Sequence, residues 1–226
     1  MMTPVLRLAE DIFSNLAATV TLAGLARMIY VVHGVITIDG RDHASDETWH
    51  GEGEVTLRSG KVGATIWRFE LAPGPSDVGT IEGSGIRSHE KISSPLATLP
   101  CGELLLRGDS VAFPPGGCAF THVHQGPGIR CLIEGGIRID TNGRSTSYGP
   151  GGAWFESGPD AVFAQAASDR PSRFIRVLIL PRMLLGKSSI RYLEDADRDK
   201  PKLQTYRIFV DAPIAFVGRA GGGSTV

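Results

Sequence analysis

Basic residues do not cluster anywhere in this chain. Its 23 Lys and Arg are balanced by 24 Asp and Glu, leaving a formal charge of −1. With no basic stripe and no Lys/Arg block, neither nucleic acid nor an anionic membrane surface is an expected partner. Cysteine is scarce too. Cys101, Cys118 and Cys131 are odd in number and lack metal-type spacing, so free thiols in a reducing compartment are expected. Long apolar runs are missing as well. The most apolar stretch, residues 16–32, is broken by Arg27 and rich in β-branched residues, which suits core strands and is too interrupted to span a bilayer. Arg7, Glu10 and Asp11 near the N-terminus do not fit the positive, apolar, small order of a signal peptide. A soluble, cytoplasmic protein is expected.

What the chain has in plenty is turn residues: 29 Gly and 14 Pro are spread over 226 residues. Many short strands joined by turns follow, in a chain long enough to bury a core. Residues 4–14 read as a short helix or lead-in, with Asp11 and Ser14 as turn material. Strands are expected at 17–23, 27–33 and 35–38, and Asp39-Gly40 is a hairpin signal. Further strands are expected at 54–57 and 64–71, separated by Ser59-Gly60-Lys61. After a mixed segment to Pro100 they resume at 103–107, 110–113, 120–124, 129–133, 137–140, 154–155, 162–164 and 174–180. That is the number an eight-stranded roll requires.

The densest chemistry lies between Gly116 and Gly136. His122 and His124 stand at i and i+2, so on an extended strand both imidazoles point to one face. Gly126-Pro127-Gly128 then interrupts the chain, and the apolar run from Ile129 closes on Gly135-Gly136. Gly116, His122-x-His124 and Gly135 resemble the first motif of the cupin superfamily, Gly-x5-His-x-His-x(3,4)-Glu-x6-Gly. The second motif of that family is echoed by the stretch from Gly151 to Val162, with Gly158-Pro159. The resemblance implies an all-β fold, a cupin-type antiparallel β-barrel or jelly roll. The sequence departs from the family pattern at two ligands. The motif's Glu falls on Gly128, and its third His falls on Val162, or on Ala164 when Pro159 sets the register.

An internal repeat accompanies the motif. Residues 31–39 align with 132–140, Trp49 with Trp154, and residues 67–73 with 175–181, in the same order and with offsets growing from 101 to 108. The chain therefore reads as two cupin repeats. A shortened first repeat spans 1–74, a linker 75–100, and a second repeat carrying the His pair 101–182. A tail with one strand, around Tyr206–Val210, spans 183–226 and is expected to complete the short first repeat. Thr21 and Ala23 fall where the second repeat has its histidines.

Two imidazoles make half of a typical metal site, so His122 and His124 either hold a divalent metal or are remnants of a barrel without one. Iron, manganese, nickel and zinc are not distinguished by these residues. Glu156, in the second-motif strand, is the preferred third ligand, ahead of Glu134 and Gln125; two His and a carboxylate would form the facial set of non-haem iron. Arg130 either faces solvent or points into the barrel to pair with an anionic ligand. In the second case Arg130→Met is expected to weaken that ligand and change stability little. Trp49, Trp67 and Trp154 read as packing, and Arg68 and Arg176 as structural in matching repeat positions. The function expected is a small-molecule enzyme with a metal on the His pair, oxygen-dependent oxidation being the reaction class that the resemblance makes most available. The alternative is a metal-free barrel that binds or senses a small anionic ligand. A homodimer is left open.

Overall fold

The computed structural model describes residues 3–14, 18–74 and 79–218. The chain divides into two compact units, residues 1–97 and 98–226. The fold is antiparallel β in both, and no helix of the described residues is long and apolar enough to cross a membrane.

The first unit contains β1 (Val5–Phe13), β2 (Thr19–Leu22), β3 (Ala26–Ile38), β4 (Arg41–Ala44), β5 (Thr48–Gly51), β6 (Val55–Ala72) and β7 (Ile86–Pro95). β3 and β6 are long enough to serve two faces of a barrel. The first half of β3 pairs with β5 and with the second half of β6; its second half pairs with β4 and the first half of β6. β2 lies beside the first half of β6, and β1 lies between the second half of β6 and β7. Asp39 and Gly40 join β3 to β4 with φ of 48° and 81°, the positive pair that a tight hairpin turn requires.

The second unit contains β8 (Gly102–Phe113), β9 (Cys118–His124), β10 (Gly128–Glu134), β11 (Ile137–Thr141), β12 (Arg144–Tyr148), β13 (Ala153–Glu156), β14 (Val162–Ala166) and β15 (Ser172–Pro181). β16 (Ile190–Tyr192), the short helix α1 (Asp195–Arg198) and β17 (Thr205–Gly218) follow. One sheet runs β13-β10-β15-β8-β17, the other β12-β11-β14-β9-β16. Apart from β16, which has no counterpart among the described strands of the first unit, the pairing order matches that unit, with β10 and β11 in the place of β3, and β14 and β15 in the place of β6. Trp49 faces Ile29 across one ladder as Trp154 faces Arg130 across the other.

Three expectations change. Residues 5–13 form a strand, not a helix; Asp11, expected as turn material, and Arg7 are buried and paired inside the barrel. The segment expected as linker contains β7, which pairs with β1 along its whole length. The C-terminal strand pairs with β8 of the second unit, so it is β7, and not the tail, that borders β1 in the first.

Inside the first barrel, Phe13, Ile29, Val31, Ile36, Leu57 and Ile66 belong to one apolar cluster. Beside them lies a buried charge network. Glu70 accepts hydrogen bonds from Arg7 (2.9 and 2.7 Å), Arg27 (2.9 Å) and Arg68 (2.6 Å). Arg68 also donates to Asp11 at 2.7 and 3.2 Å. Burial alone would raise the Glu70 pKa, but the charges of Arg68, Arg27 and Arg7 outweigh it and hold the carboxyl below its usual range. A depressed carboxylate contributes stability that is present above its unfolded pKa, about 4.3, and is lost as pH falls through the folded value. Glu70→Gln leaves buried arginines uncompensated and should cost about 3–5 kcal/mol in urea unfolding at pH 7. The variant should also lose the part of the acid sensitivity below about pH 4.5 that Glu70 supplies. A loss under about 1 kcal/mol would show that the network is not what holds this barrel.

Candidate metal centre

The inner face of the second barrel is apolar at one end and charged at the other. Leu132, Phe174 and Val111 are cross-strand neighbours, and Trp154 meets Phe174 edge-on at 5.3 Å. One rung along, Trp154, Arg130, Arg176 and Asp109 sit directly opposite one another on four adjacent strands. Two arginines facing each other across a ladder repel. Each is offset on its outer side. Arg176 donates to Asp109 twice, at 2.9 and 2.6 Å, and Arg130 Nη2 lies 2.7 Å from Glu156 Oε2.

His122 and His124 enter from the opposite sheet, on β9. His122 pairs with Val162 on one side and Tyr192 on the other, and His124 pairs with Ile190. Their rings meet edge-on with centroids 4.9 Å apart. Both line the same enclosed cavity as Glu156, Arg130 and Arg176, with a volume of about 20 Å³, room for about one water or ion. Arg130 therefore points into the barrel. The ligand atoms of His122, His124 and Glu156 all lie within 4.8 Å of one another, and all three side chains are buried.

The local contacts prepare each donor. His122 Nδ1 lies 2.7 Å from the Phe120 carbonyl, which only accepts, so Nδ1 carries the proton and Nε2 keeps its lone pair. Burial lowers the His122 pKa against the opposing pull of Glu156. Burial and then the Arg130 charge push His124 well below its ordinary value, so both rings are neutral at pH 7, the form that binds metals. His124 Nε2 is 3.5 Å from Glu156 Oε2, and the Ser189 hydroxyl is 3.5 Å from Nδ1. Trp154 Nε1 donates to Glu156 Oε1 at 2.9 Å. Glu156 Oε2 and Arg130 Nη2 approach closely but out of hydrogen-bonding alignment, and both remain without a hydrogen bond.

An unspent carboxylate oxygen beside two neutral imidazoles fits a divalent ion. Donors bound at about 2.1 Å lie no more than about 4.2 Å apart, so the widest separation has to shorten slightly on binding. The position at which the motif has its Glu explains the arrangement. A Cβ on Gly128 would meet the Val177 carbonyl oxygen at 2.5 Å and Arg130 Nη1 at 3.0 Å. No side chain fits there, and Glu156 is the residue directly across the ladder from Gly128. The site thus has its carboxylate one strand away from the motif position.

Other candidates lie elsewhere. Glu134 is exposed and pairs with Arg173 at 3.0 Å, and Gln125 is exposed. His33 and His89 are exposed, while His43 and His50 are half-buried in the first unit. Cys131 is buried, Cys118 partly so and Cys101 exposed, none in a disulfide. Sequence reasoning missed Asp109, which falls in the Arg-Gly-Asp-Ser gap between two expected strands but lies inside the continuous β8. It also missed Ser189 and Tyr192, in a segment taken as tail.

Burial brings the Arg130 pKa down to about 10, with Glu156 opposing the fall, so Arg130 stays charged at neutral pH and is the counter-ion of Glu156. Its loss is therefore expected to change stability more than the loss of a solvent-facing arginine would. Arg130→Met, unfolded in urea with EDTA present, should lose about 3–5 kcal/mol. Arg130→Met with Glu156→Gln should recover part of that, because no uncompensated carboxylate remains. Equal losses in the single and double variants would separate the pair energetically.

No family model matches the sequence, and no curated protein matches it. Solved structures do. Oxalate decarboxylase of Bacillus subtilis, in a structure concerned with its Mn(II) centres, aligns with TM-score 0.59 at 12% identity over 83% of this chain and 71% of that one. AerE from Microcystis aeruginosa aligns with TM-score 0.53 at 11% identity, over 80% of this chain and 89% of that one. A cupin 2 conserved barrel domain protein from Leptotrichia buccalis aligns with TM-score 0.48 at 9% identity, over 77% and 83%. At such identities the likeness is one of fold, and this chain shares the antiparallel β-barrel architecture of those oxalate decarboxylase structures.

Proposed function

We propose that the second unit is the working barrel of a cupin-type small-molecule enzyme in which His122, His124 and Glu156 hold a divalent metal. One observation carries this reading: two neutral imidazoles and a buried carboxylate converge on a cavity the size of an ion. Two nitrogens and one oxygen make the facial set that suits non-haem iron and leaves positions open, so oxygen-dependent oxidation is the reaction class we favour. Manganese, nickel and zinc take the same donors. The Mn(II) centres of the oxalate decarboxylase neighbour support a metal in a barrel of this fold.

When bound, the metal would orient the substrate and polarise one of its oxygens. The protein's own residues do the rest. The Phe120 carbonyl fixes the His122 tautomer, Trp154 anchors one oxygen of Glu156 and so aims the other, and Phe174 and Trp154 keep the cavity apolar on one side. We read the chain as a two-repeat protein with a single centre. Ile29 and Gly51 stand where the second barrel has Arg130 and Glu156, and β2 contains no histidine. The free cysteines favour a cytoplasmic setting. The alternative, a metal-free barrel that binds or senses a small anion, is favoured by the two buried arginines, Arg130 and Arg176, that line the cavity.

Elemental analysis of protein purified without chelator decides between them. Stoichiometric metal in the parent, lost in the His122→Ala/His124→Ala variant with its β-sheet circular dichroism unchanged, is the expected outcome. A metal-free parent, or a variant that retains its metal, would reject this site.

A further inference from the structure

A cavity of about 20 Å³ has room for an ion but not for an organic substrate. Adjoining it is a second recess of about 260 Å³, lined by Arg107, Asp109, Arg176, Lys187, Tyr206 and Ile208 among others. It shares Arg176, Ile190 and Tyr206 with the cavity of the His pair, so these three side chains are the common wall. The strands place it. Tyr206 and Ile208 lie on β17, the edge of one sheet, and Ile190 begins β16, the edge of the other. The recess therefore opens at the seam where the barrel is not closed by hydrogen bonds.

Its chemistry is uneven. Arg107 is committed to Asp211 (2.9 and 3.1 Å) and to the carbonyls of Leu184 and Lys187. Arg176 spends Nε and Nη2 on Asp109, which leaves Nη1 with no acceptor among the described residues. Lys187 is exposed at the rim with no ion-pair partner among the described residues. Three cations thus line the recess against one lining carboxylate, Asp109, with Asp211 behind Arg107. The apolar part of the lining is Ile190, Ile208 and the Tyr206 ring, whose centroid lies 5.9 Å from the Arg176 guanidinium carbon. Ser189 also lines the recess while its hydroxyl stands 3.5 Å from His124 Nδ1.

We propose that this seam recess is the substrate pocket and that it takes a small organic carboxylate, with its anionic end toward Arg176 Nη1 and Lys187 and its apolar body against Ile208 and Tyr206. The proposal rests on the second barrel being the working one, but the recess draws its charge from the chain's own side chains, so anion binding there does not depend on a metal.

The test uses the full chain dialysed against EDTA, with benzoate as probe and benzamide as its neutral isostere, followed by calorimetric titration. Benzoate should bind at least about tenfold more tightly than benzamide, the margin of a charge-assisted hydrogen bond. Lys187→Met, at an exposed position, should weaken benzoate by roughly threefold to fivefold and leave benzamide unchanged. Ile208→Trp, which fills the recess from an exposed position, should abolish binding of both probes while the melting temperature holds. Equal affinity for the two probes, no benzoate binding at millimolar concentration, or benzoate affinity unmoved in both variants would overturn the proposal. Because the protein is metal-free throughout, those results leave the metal reading standing, and a metal-free parent in turn leaves this one standing.

Discussion

Both barrels have to accommodate a buried arginine on their central strand. Arg68 on β6 and Arg176 on β15 occupy the same rung, each sandwiched between neighbouring strands. A guanidinium removed from water is tolerable only with carboxylates in contact and its donors satisfied. In the first unit Asp11 and Glu70 meet that demand, and Glu70 gathers Arg7 and Arg27 into the same cluster. In the second, Asp109 takes Arg176, and the arginine directly opposite takes Glu156. The carboxylate of the candidate centre is thus held in place by the same demand for charge balance that shapes the rest of the interior.

This dual duty explains the departure from the family motif. Strand β10 runs so close to β15 at Gly128 that a side chain would strike the Val177 carbonyl, and Arg130 turns back to donate to the Gly128 carbonyl at 2.6 Å. A carboxylate one strand over, on the residue paired with Gly128, reaches the same interior from the other side. The two histidines keep their motif positions because they come from the other sheet and are untouched by that approach.

Features that depend on one strand alone could be read from the sequence. His122 and His124 share a face by parity, Asp39-Gly40 makes the turn its residues demand, and Trp49 and Trp154 align because they sit at matching ladder positions. Features that depend on what lies across the barrel could not. Arg7, Glu10 and Asp11 read as polar lead-in because nothing local shows that Glu70, Trp67 and Arg68, respectively, will pair with them. The gap at Gly108-Asp109 between two expected strands has the same cause, yet β8 continues through it and Asp109 pairs with the buried Arg176. β7, with its Ser, His, Glu and Lys residues, has no clear alternation, and its only signal is the unpaired side of β1. The inward orientation of Arg130 depended on strand parity through Gly126-Pro127, which the turn conceals.

The Arg130–Glu156 contact also bears on how such a protein would mature. In many small metal sites the unfolded chain becomes a folded one only when the ion arrives, so assembly waits on supply. Here a resident guanidinium stands in as the positive partner, and the barrel closes around a neutralised carboxylate from the start. Loading then becomes an exchange within a finished fold, in which an incoming dication competes with a tethered side chain. The identity of that ion would be decided by what the compartment offers after synthesis, weighted by the intrinsic ranking of ions for nitrogen and oxygen donors.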